Sequence, residues 1–338
     1  MRFTLSDLAV PIIGAPMAGG PSTPALAAAV SNAGGLGTLP AGYLTAERFA
    51  EDIAAARSLT SGPLGVNLFV PQPCRATSDQ LDAYRDLLGP LARRLGVEPG
   101  GYRPDDDGWR AKLDVVAAAA PEAVSFTFGC PDRAVLARLR SCGVLTMVTV
   151  SSRAEAESAV ASGADALVVQ GPSAGGHRSV FDPDRQPPTL PLPALLAQTT
   201  DLGVPVVAAG GLREEAAVRV VMKGGAVAAQ VGTALLLCDE AGTSPVHRRA
   251  LRDDQFVETV VTRAFSGRYA RSLANAFTAA YSESAPPGYP QVNQITAPIR
   301  AASVGAGDPQ ATSLWAGTGW RDIDTGPAAD IVERLASG

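Results

Sequence analysis

The chain has 338 residues, of which 46% are hydrophobic and 18% are charged, so its composition excludes a disordered or highly charged scaffold protein. Its net charge of −5, with no long basic run, gives no support to a nucleic-acid partner or an anionic-membrane partner. The four cysteines form no CxxC pair, which argues against a zinc site and against a disulfide framework. The N-terminus carries no signal-peptide pattern and no apolar stretch is long enough to span a bilayer, so we expect a soluble, cytoplasmic protein.

Short apolar runs alternate with alanine-rich helical segments, which is the order that builds a parallel sheet covered by helices. The predicted strands cover residues 11–15, 35–39, 64–68, 123–128, 144–150, 166–170, 204–209 and 226–231. Their apolar residues are continuous, as in strands that are buried on both faces, and eight such strands suit a closed TIM (β/α)8 barrel, an α/β fold. An open, doubly wound sheet is the alternative.

Glycines and capping residues mark the predicted ends of the helices. Several glycines end helical stretches just before a predicted strand, which favours a left-handed glycine at each helix C-terminus. They are Gly34, Gly62, Gly143, Gly163, Gly203 and Gly224. Helices are predicted to begin at Thr23, Thr45 and Ser152, and Glu155 completes the pattern of a capping box with Ser152.

Two regions depart from the alternation. Residues 72–120 are polar, proline-rich and too long for a simple crossover, so they predict an inserted helical segment after the third strand. Residues 241–338 mix helix and loop and predict a C-terminal lid, because additions at the carboxyl ends of barrel strands lie over the active site. The barrel itself is then expected to cover residues 1–71 and 121–240.

The segment after the sixth predicted strand reads Gln-Gly-Pro-Ser-Ala-Gly-Gly-His at 170–177. It places His177 in a glycine-rich loop at a strand end, where catalytic groups concentrate. Gly175 and Gly176 would let the backbone approach a ligand closely. A surface histidine in a flexible loop is the alternative. The second histidine, His247, stands in a polar, arginine-containing stretch and is expected to be solvated.

Glycines also follow the next two predicted strands. Gly210 and Gly211 end the seventh strand, and Gly232 and Thr233 end the eighth. Backbone N–H groups near helix N-termini bind phosphate, and barrels often carry a phosphate site at these two strands. A tight turn at each place is the alternative.

Small or polar residues end other predicted strands. Ala15, Pro16 and Met17 follow the first strand and offer small side chains and backbone groups. Asn67 and Gln170 are amides at the ends of apolar strands, and each needs hydrogen-bond partners. Those partners can belong to a ligand or merely to a neighbouring loop.

Together these motifs resemble the nitronate monooxygenase family, formerly called 2-nitropropane dioxygenases, which are FMN enzymes built on a TIM barrel. The resemblance runs along most of the chain. It is carried by Pro-Ile-Ile-Gly-Ala-Pro-Met at 11–17, Gly-Gly-Leu-Gly at 34–37, Gly-Val-Asn-Leu-Phe-Val-Pro at 65–71, Phe-Gly at 128–129 before Pro131, Ala-Gly-Gly-His at 174–177, Ala-Gly-Gly at 209–211 and Gln-Val-Gly-Thr at 230–233.

The resemblance implies FMN as the cofactor and no metal, with the FMN phosphate held by Gly211, Gly232 and Thr233. The residues implied for the rest of the cofactor are Ala15, Pro16, Met17, Asn67, Thr149, Gln170, Gly175, Gly176, Gly210, Gln230 and Val231. The implied reaction is oxidation of a nitroalkane or its nitronate by the flavin, which then reacts with O2. His177, titrating near neutral pH, would be the base that takes an acidic proton or the imidazolium that holds the nitronate.

The chain also departs from the family's usual pattern. The departures are Ser173 and Ser179 in the histidine loop, and Tyr269 and Thr318 in the tail, while Thr149 stands where some relatives have lysine. The alternative within the fold is the related FMN-dependent enoyl-acyl-carrier reductase, which uses NAD(P)H. A flavin-binding protein without turnover is a second alternative, a barrel without flavin is a more distant one, and the sequence leaves a homodimer open.

Overall fold

The computed structural model describes residues 2–337, so the end residues Met1 and Gly338 of the predicted barrel and lid lie outside the described residues. Its strands are β1 (Ile12–Gly14), β2 (Gly37–Pro40), β3 (Leu64–Phe69), β4 (Ala123–Thr127), β5 (Leu145–Val150), β6 (Ala166–Gln170), β7 (Gly176–His177), β8 (Val206–Ala209), β9 (Ala228–Val231), β10 (Thr259–Thr262) and β11 (Ala270–Leu273). Its helices are α1 (Pro24–Asn32), α2 (Ala46–Leu59), α3 (Ser78–Arg94), α4 (Trp109–Ala119), α5 (Arg133–Ser141), α6 (Arg153–Ser162), α7 (Leu192–Ala197), α8 (Glu215–Lys223), α9 (Pro245–Ala250), α10 (Ala276–Tyr281), α11 (Gln291–Gly305) and α12 (Ala328–Ala336). Short 3-10 helices cover Leu5–Asp7, Thr200–Leu202, Thr233–Leu235, Pro309–Ala311 and Trp320–Asp322.

Eight parallel strands form a barrel in the order β1-β9-β8-β6-β5-β4-β3-β2. The two ends of that order meet, because Gly14 N donates to Leu36 O and Leu36 N donates to Ile12 O, both at 3.0 Å. The predicted TIM barrel is therefore confirmed, and the open sheet is excluded. All the barrel strands fall within the apolar runs read from the sequence or extend one residue beyond them.

The continuous apolar runs are explained by burial on both sides of the sheet. Ile13, Val168 and Val207 pack inside the barrel, where Leu5 contributes at the amino end. Their neighbours along the same strands, such as Ile12 and Leu167, pack outward against the helices. Alternate residues of one strand thus enter two separate apolar clusters, as expected for a parallel sheet covered by helices.

Most of the predicted helix boundaries agree with the structure. The side chains of Thr23, Thr45 and Ser152 each accept a hydrogen bond from the backbone three residues on. The predicted capping box at Ser152 is only half formed, because the Glu155 carboxylate accepts hydrogen bonds from Ser151 N and Phe181 N instead. Gly34, Gly143, Gly163 and Gly203 have the expected left-handed conformation.

For two glycines the predicted left-handed conformation is wrong. Gly224 has a φ of −76°, and the left-handed residue is Gly225, with a φ of 95°. Gly62 lies beyond the extended cap residue Thr60 and is not left-handed. A Cβ at Gly62 would lie 2.8 Å from Ser31 O, so glycine is needed there for close approach of two backbones and not for its φ.

The inserted segment and the tail meet above the barrel. α3 packs against α11, and the buried Tyr84 of α3 donates to Ala264 O at 2.7 Å. α4 lies between α2 and α5 in the outer layer, and α12 packs there against α1 and α8. The antiparallel pair β10–β11 adds β7, so the strand that carries His177 is held by the tail. The predicted domain limits stay a prediction.

Within residues 2–337 no helix has both the length and the hydropathy needed to cross a membrane.

Candidate active site

A cavity of about 740 Å³ opens at the carboxyl ends of the barrel strands. All of the site residues predicted from the sequence line it. They are Ala15, Pro16, Met17, Asn67, Thr149, Gln170, Gly175, Gly176, His177, Gly210, Gly211, Gln230, Val231, Gly232 and Thr233. The residues are brought together because parallel strands end at one rim of the barrel. The role of each in binding a cofactor stays a prediction.

The ends of β8 and β9 present free backbone donors to the cavity. Within residues 2–337, the N–H groups of Gly211, Gly232 and Thr233 make no hydrogen bond. Gly210 and Gly211 have φ values of 108° and 77°, and a Cβ at Gly211 would lie 2.9 Å from Ser173 Cβ, so both positions need glycine. Unpaired backbone N–H groups at strand ends can bind an anion, and we call these three groups the N–H cradle.

The tail closes over this cradle. Gly317 N donates to Thr233 Oγ1 at 3.0 Å, and Thr318 N donates to Ser173 O at 3.1 Å. A Cβ at Gly175 would lie 2.5 Å from Gly317 N, so the histidine loop and the tail touch through backbone alone. Glycine at position 175 therefore permits the contact between two segments that lie far apart in the chain.

The two amides predicted to face a ligand differ in the structure. Asn67 Nδ2 donates to Ser125 Oγ at 2.9 Å and to Thr127 Oγ1 at 3.0 Å, while its Oδ1 has no partner among residues 2–337. Gln170 Nε2 donates to His177 O, and Gln170 Oε1 accepts from Ser179 N, both at 3.0 Å. Asn67 thus keeps an acceptor for a ligand, whereas Gln170 holds the histidine loop in place.

His177 lies in an aromatic and cationic environment. The ring centroids of Phe69, Phe128, Tyr289 and Trp315 lie 5.4 to 6.4 Å from its own. Burial, with the nearby charges of Arg268 and Arg300, lowers the pKa of His177 to about 3. The expectation that His177 titrates near neutral pH is therefore wrong, and its imidazole is neutral in the cavity without ligand.

Two aromatic residues near the cavity have unusual backbone conformations. Phe128, directly after β4, has a φ of 77°, and Tyr43 has a φ of 70°. Bulky side chains rarely occupy this left-handed region, and such outliers cluster at functional sites. The Phe128 ring packs under the guanidinium group of Arg268 at 4.2 Å, and Tyr43 lines the cavity.

The charged side chains that line the cavity were not predicted from the sequence. Arg213 and Arg300 line it, and no Asp or Glu is found among the described lining residues. Arg213 is paired with Glu214 at 2.8 Å and with Asp322 at 2.6 Å. Arg300 has no carboxylate within 4.0 Å among residues 2–337.

The spacing along α11 could have revealed this wall of the cavity. Its lining residues share one helical face, since they recur every three or four positions. They are Asn293, Ala297, Arg300, Ala301 and Val304. Trp315 lines the cavity as well, but its place depends on a loop without a periodic pattern, and the sequence carries no comparable signal for it.

The expectation for His247 is wrong. It is only 6% exposed and lines the cavity, and its Nε2 has no hydrogen-bond partner among residues 2–337. Burial lowers its pKa to about 4. The neighbouring Arg248 also points inward and donates to several backbone carbonyls, including Leu237 O at 3.0 Å. The polar composition of this short helix therefore hid its inward face.

The departures from the family pattern lie outside the cavity wall, apart from Thr149. None of Ser173, Ser179, Tyr269 and Thr318 lines the cavity. Tyr269 OH accepts a hydrogen bond from Gln186 Nε2 at 2.8 Å, and the other three lie in the contact between loop and tail or under the loop. Thr149 is buried, and its hydroxyl has no partner within residues 2–337.

Within residues 2–337, no group of three or more His, Cys, Asp or Glu side chains is placed to hold a metal ion.

Several known proteins are similar to this chain over nearly its whole length. A family model described as nitronate monooxygenase matches residues 2–338. A probable nitronate monooxygenase from Staphylococcus aureus strain MSSA476 is 37% identical over 330 residues, which cover 96% of this chain and 93% of the relative. A solved nitroalkane oxidase from Streptomyces ansochromogenes is 44% identical, with a TM-score of 0.94, and the match covers 98% of this chain and 96% of that chain. FabK from Thermotoga maritima, at 24% identity and a TM-score of 0.77 over 98% of this chain and 94% of that chain, is similar in fold.

Proposed function

The chain belongs to the nitronate monooxygenase family, a family of oxidoreductases, and we propose that it binds FMN and oxidises alkyl nitronates or nitroalkanes with O2. The observation that carries the proposal is one cavity in which a cradle of free N–H groups and a neutral histidine lie together. The substrate is a small molecule, because the cavity volume of about 740 Å³ leaves room for little besides a flavin.

The groups that line the cavity fit FMN. The free N–H groups of Gly211, Gly232 and Thr233 suit its phosphate. Asn67 Oδ1 and the Thr149 hydroxyl are unengaged polar groups that suit the polar edge of a flavin ring. When bound, FMN would supply the electron chemistry, taking electrons from the substrate and passing them to O2.

The hydrogen bonds of His177 define its role. The Ser266 hydroxyl donates to Arg268 O at 3.2 Å and lies 2.8 Å from His177 Nε2. A hydroxyl donates only one hydrogen bond, so a Ser266 hydroxyl that donates to Arg268 O accepts from Nε2–H, and this tautomer leaves the lone pair on His177 Nδ1. His177 is thus a neutral group that can accept a proton from a nitroalkane or a hydrogen bond from a protonated ligand.

The aromatic side chains around His177 keep water from the reacting atoms. Phe69 and Trp315 line the cavity beside it, and Phe128 and Tyr289 pack behind. A site from which water is excluded strengthens each electrostatic contact with the substrate and limits side reactions.

The proposal is tested on the purified protein. We expect a flavin absorbance spectrum, FMN as the flavin released on denaturation, bleaching by propyl-2-nitronate without oxygen, and recovery when O2 is admitted. A protein that stays colourless after incubation with FMN would contradict the cofactor assignment. Reduction by NADPH with turnover of a crotonyl thioester, but without reduction by nitronate, would favour the reductase, and reduction by neither would indicate a flavin binder.

A further inference from the structure

We propose that Arg300 recognises the negative charge of the substrate and makes the site selective for the anionic nitronate over the neutral nitroalkane. This inference rests on the proposed function and deepens it by naming the substrate class. It concerns a residue of the tail that no motif at the strand ends contains.

Arg300 is held firmly on its own helix. Its Nε donates to Thr296 Oγ1 at 3.2 Å, and its Nη2 donates to Asn293 Oδ1 at 2.7 Å and to Asn293 O at 3.1 Å. Thr296 is fixed in turn, because its hydroxyl donates to Phe265 O at 2.5 Å. These contacts order the side chain before any ligand binds, which lowers the entropy cost of binding.

One end of the guanidinium group remains free. Among residues 2–337, Arg300 Nη1 has no hydrogen-bond partner, and the side chain lines the cavity. Burial lowers the pKa of Arg300, but arginine stays protonated in proteins. A half-buried cation without a counter-charge has lost part of its hydration, and an anionic ligand offsets that cost.

The other positive groups near the cavity are engaged elsewhere. Arg213 is neutralised by Glu214 and Asp322. Arg268 is 3% exposed, donates to Gln72 Oε1 at 3.0 Å and to Val180 O, and does not line the cavity. His177 is neutral, so it cannot supply the charge that an anion needs.

Arg300 lines the same cavity as His177. Its charge lowers the pKa of His177, and it also acts on Tyr43. The N–H cradle lies on different elements, at the ends of β8 and β9. The two positive regions therefore suit two anions, a phosphate at the cradle and a second, small anion beside His177.

The chemistry of the substrate explains the selectivity. A nitronate carries its negative charge on two oxygens in a plane, which match a charged N–H donor of arginine. A neutral nitroalkane has no net charge and requires a base for its proton. His177 can take that proton, whereas a nitronate has already lost it and requires only that its charge be recognised.

The test compares Arg300→Met, which removes the charge and keeps the length, with Arg300→Lys, which keeps the charge. Arg93→Met, on the exposed side of α3, is the matched control. For Arg300→Met in the flavin-loaded enzyme we expect KM for propyl-2-nitronate to rise by about 10- to 100-fold, with kcat and the KM for 2-nitropropane changed by less than about 3-fold. Arg300→Lys should restore much of the lost affinity for nitronate, and Arg93→Met should behave as the parent protein.

Nitrate provides a readout that does not depend on turnover, because it is a planar, unreactive anion. Its Kd is measured by the change in flavin absorbance, and we expect the Kd to rise in Arg300→Met by about the same factor as the nitronate KM. Nitrate binding that requires Arg300 supports anion recognition even when nitronate is not oxidised, which separates this inference from the proposed function. Two results for a folded Arg300→Met would overturn this inference: equal losses of activity on nitronate and on 2-nitropropane, or unchanged affinity for both nitrate and nitronate. If Arg300→Met does not fold, Arg300→Lys is measured instead, and an Arg300→Lys enzyme that binds both nitrate and nitronate more weakly than the parent protein would overturn it.

Discussion

The two ends of the barrel differ in how completely their arginines are paired, although Arg213 at the carboxyl end also has carboxylate partners. At the amino end, Asp165 accepts hydrogen bonds from Arg2 and from Arg140 Nε, the latter at 3.0 Å, and Arg57 pairs with Glu122. At the carboxyl end, Arg300 and Arg268 have no carboxylate within 4.0 Å among the described residues. Paired charges stabilise the fold, whereas an unpaired buried charge costs stability and is available to a ligand.

Backbone conformation shows the same contrast. Near the amino end, most left-handed positions that end helices are glycines, such as Gly143 and Gly163, which adopt them without strain, and Ala120 at the end of α4 is an exception. Near the carboxyl end, Phe128 and Tyr43 occupy left-handed positions despite their bulk. At the amino end most left-handed positions thus suit the residues that hold them, whereas at the carboxyl end tertiary contacts hold two bulky residues in this conformation.

The largest expected effect lies at the carboxyl end and concerns His177. His177→Ala should keep the flavin spectrum and lower kcat/KM for a nitroalkane by about 10²- to 10⁴-fold, because a positioned proton acceptor is lost. Steady-state oxygen consumption checks the rate, and the flavin content of the purified variant is the control. Unchanged turnover would show that His177 takes no part in the reaction.

The next effect concerns the contact between loop and tail. Gly175→Ala places a Cβ 2.5 Å from Gly317 N, so we expect FMN affinity to fall by about 10- to 100-fold as about 1 to 3 kcal/mol of strain is introduced. Gly101→Ala is the matched control, since no atom lies within 4 Å of its Cβ. Fluorescence titration with FMN measures both variants. Equal affinities in the two would mean that this contact does not shape the cofactor site.

A smaller effect is expected at the amino end. Burial alone would raise the pKa of Asp165, but hydrogen bonds from Arg2 and Thr146 lower it on balance. Asp165→Asn should therefore reduce the free energy of unfolding by about 2 kcal/mol, while kcat and KM stay as in the parent protein. Urea denaturation followed by circular dichroism measures the loss. A change in kcat in the folded variant would contradict the separation of the two ends.

The smallest effect is a pH dependence that arises at the carboxyl end. Burial lowers the pKa of His247 to about 4 in the folded protein, below the ordinary value of 6.5. As the pH falls below about 6.5, the histidine is therefore protonated in the unfolded chain but not in the folded protein. The free energy of unfolding decreases from about pH 6.5 down to the folded pKa of about 4. We expect His247→Gln to remove about 1 kcal/mol of the decrease in unfolding free energy between about pH 7 and pH 5.5. An unchanged pH dependence would show that His247 is not buried in solution.

The strands and most helix caps could be predicted from the sequence because they depend on neighbouring residues. Thr23 and Thr45 cap helices whose first turns lie next to them in the chain. The wrong predictions concern residues whose role is set by a segment far away in the chain. Position 62 requires glycine because Ser31 O lies close to it. The Glu155 carboxylate accepts a hydrogen bond from Phe181 N instead of completing its local capping box.

The site shows the same limit. Glycines and amides at strand ends could be predicted, since all parallel strands of a barrel end at one rim. His247 could not, and for Arg300 the spacing along α11 indicates a shared helical face but not what that face meets, because this depends on how the tail folds over the rim. A polar residue on a short tail helix has the same sequence signature whether it faces water or the cavity.

The sequence by itself determined the barrel, its order of strands and the glycine-rich rim, because these follow from local periodicity, turn chemistry and the geometry of parallel strands. Only the tertiary structure decided the electrostatics of the cavity. It placed the half-buried His177 among aromatic rings in a cavity that Arg300 also lines, made the histidine neutral and left the arginine unpaired. Burial and charge pairing depend on contacts between segments far apart in the chain, and no local pattern records them.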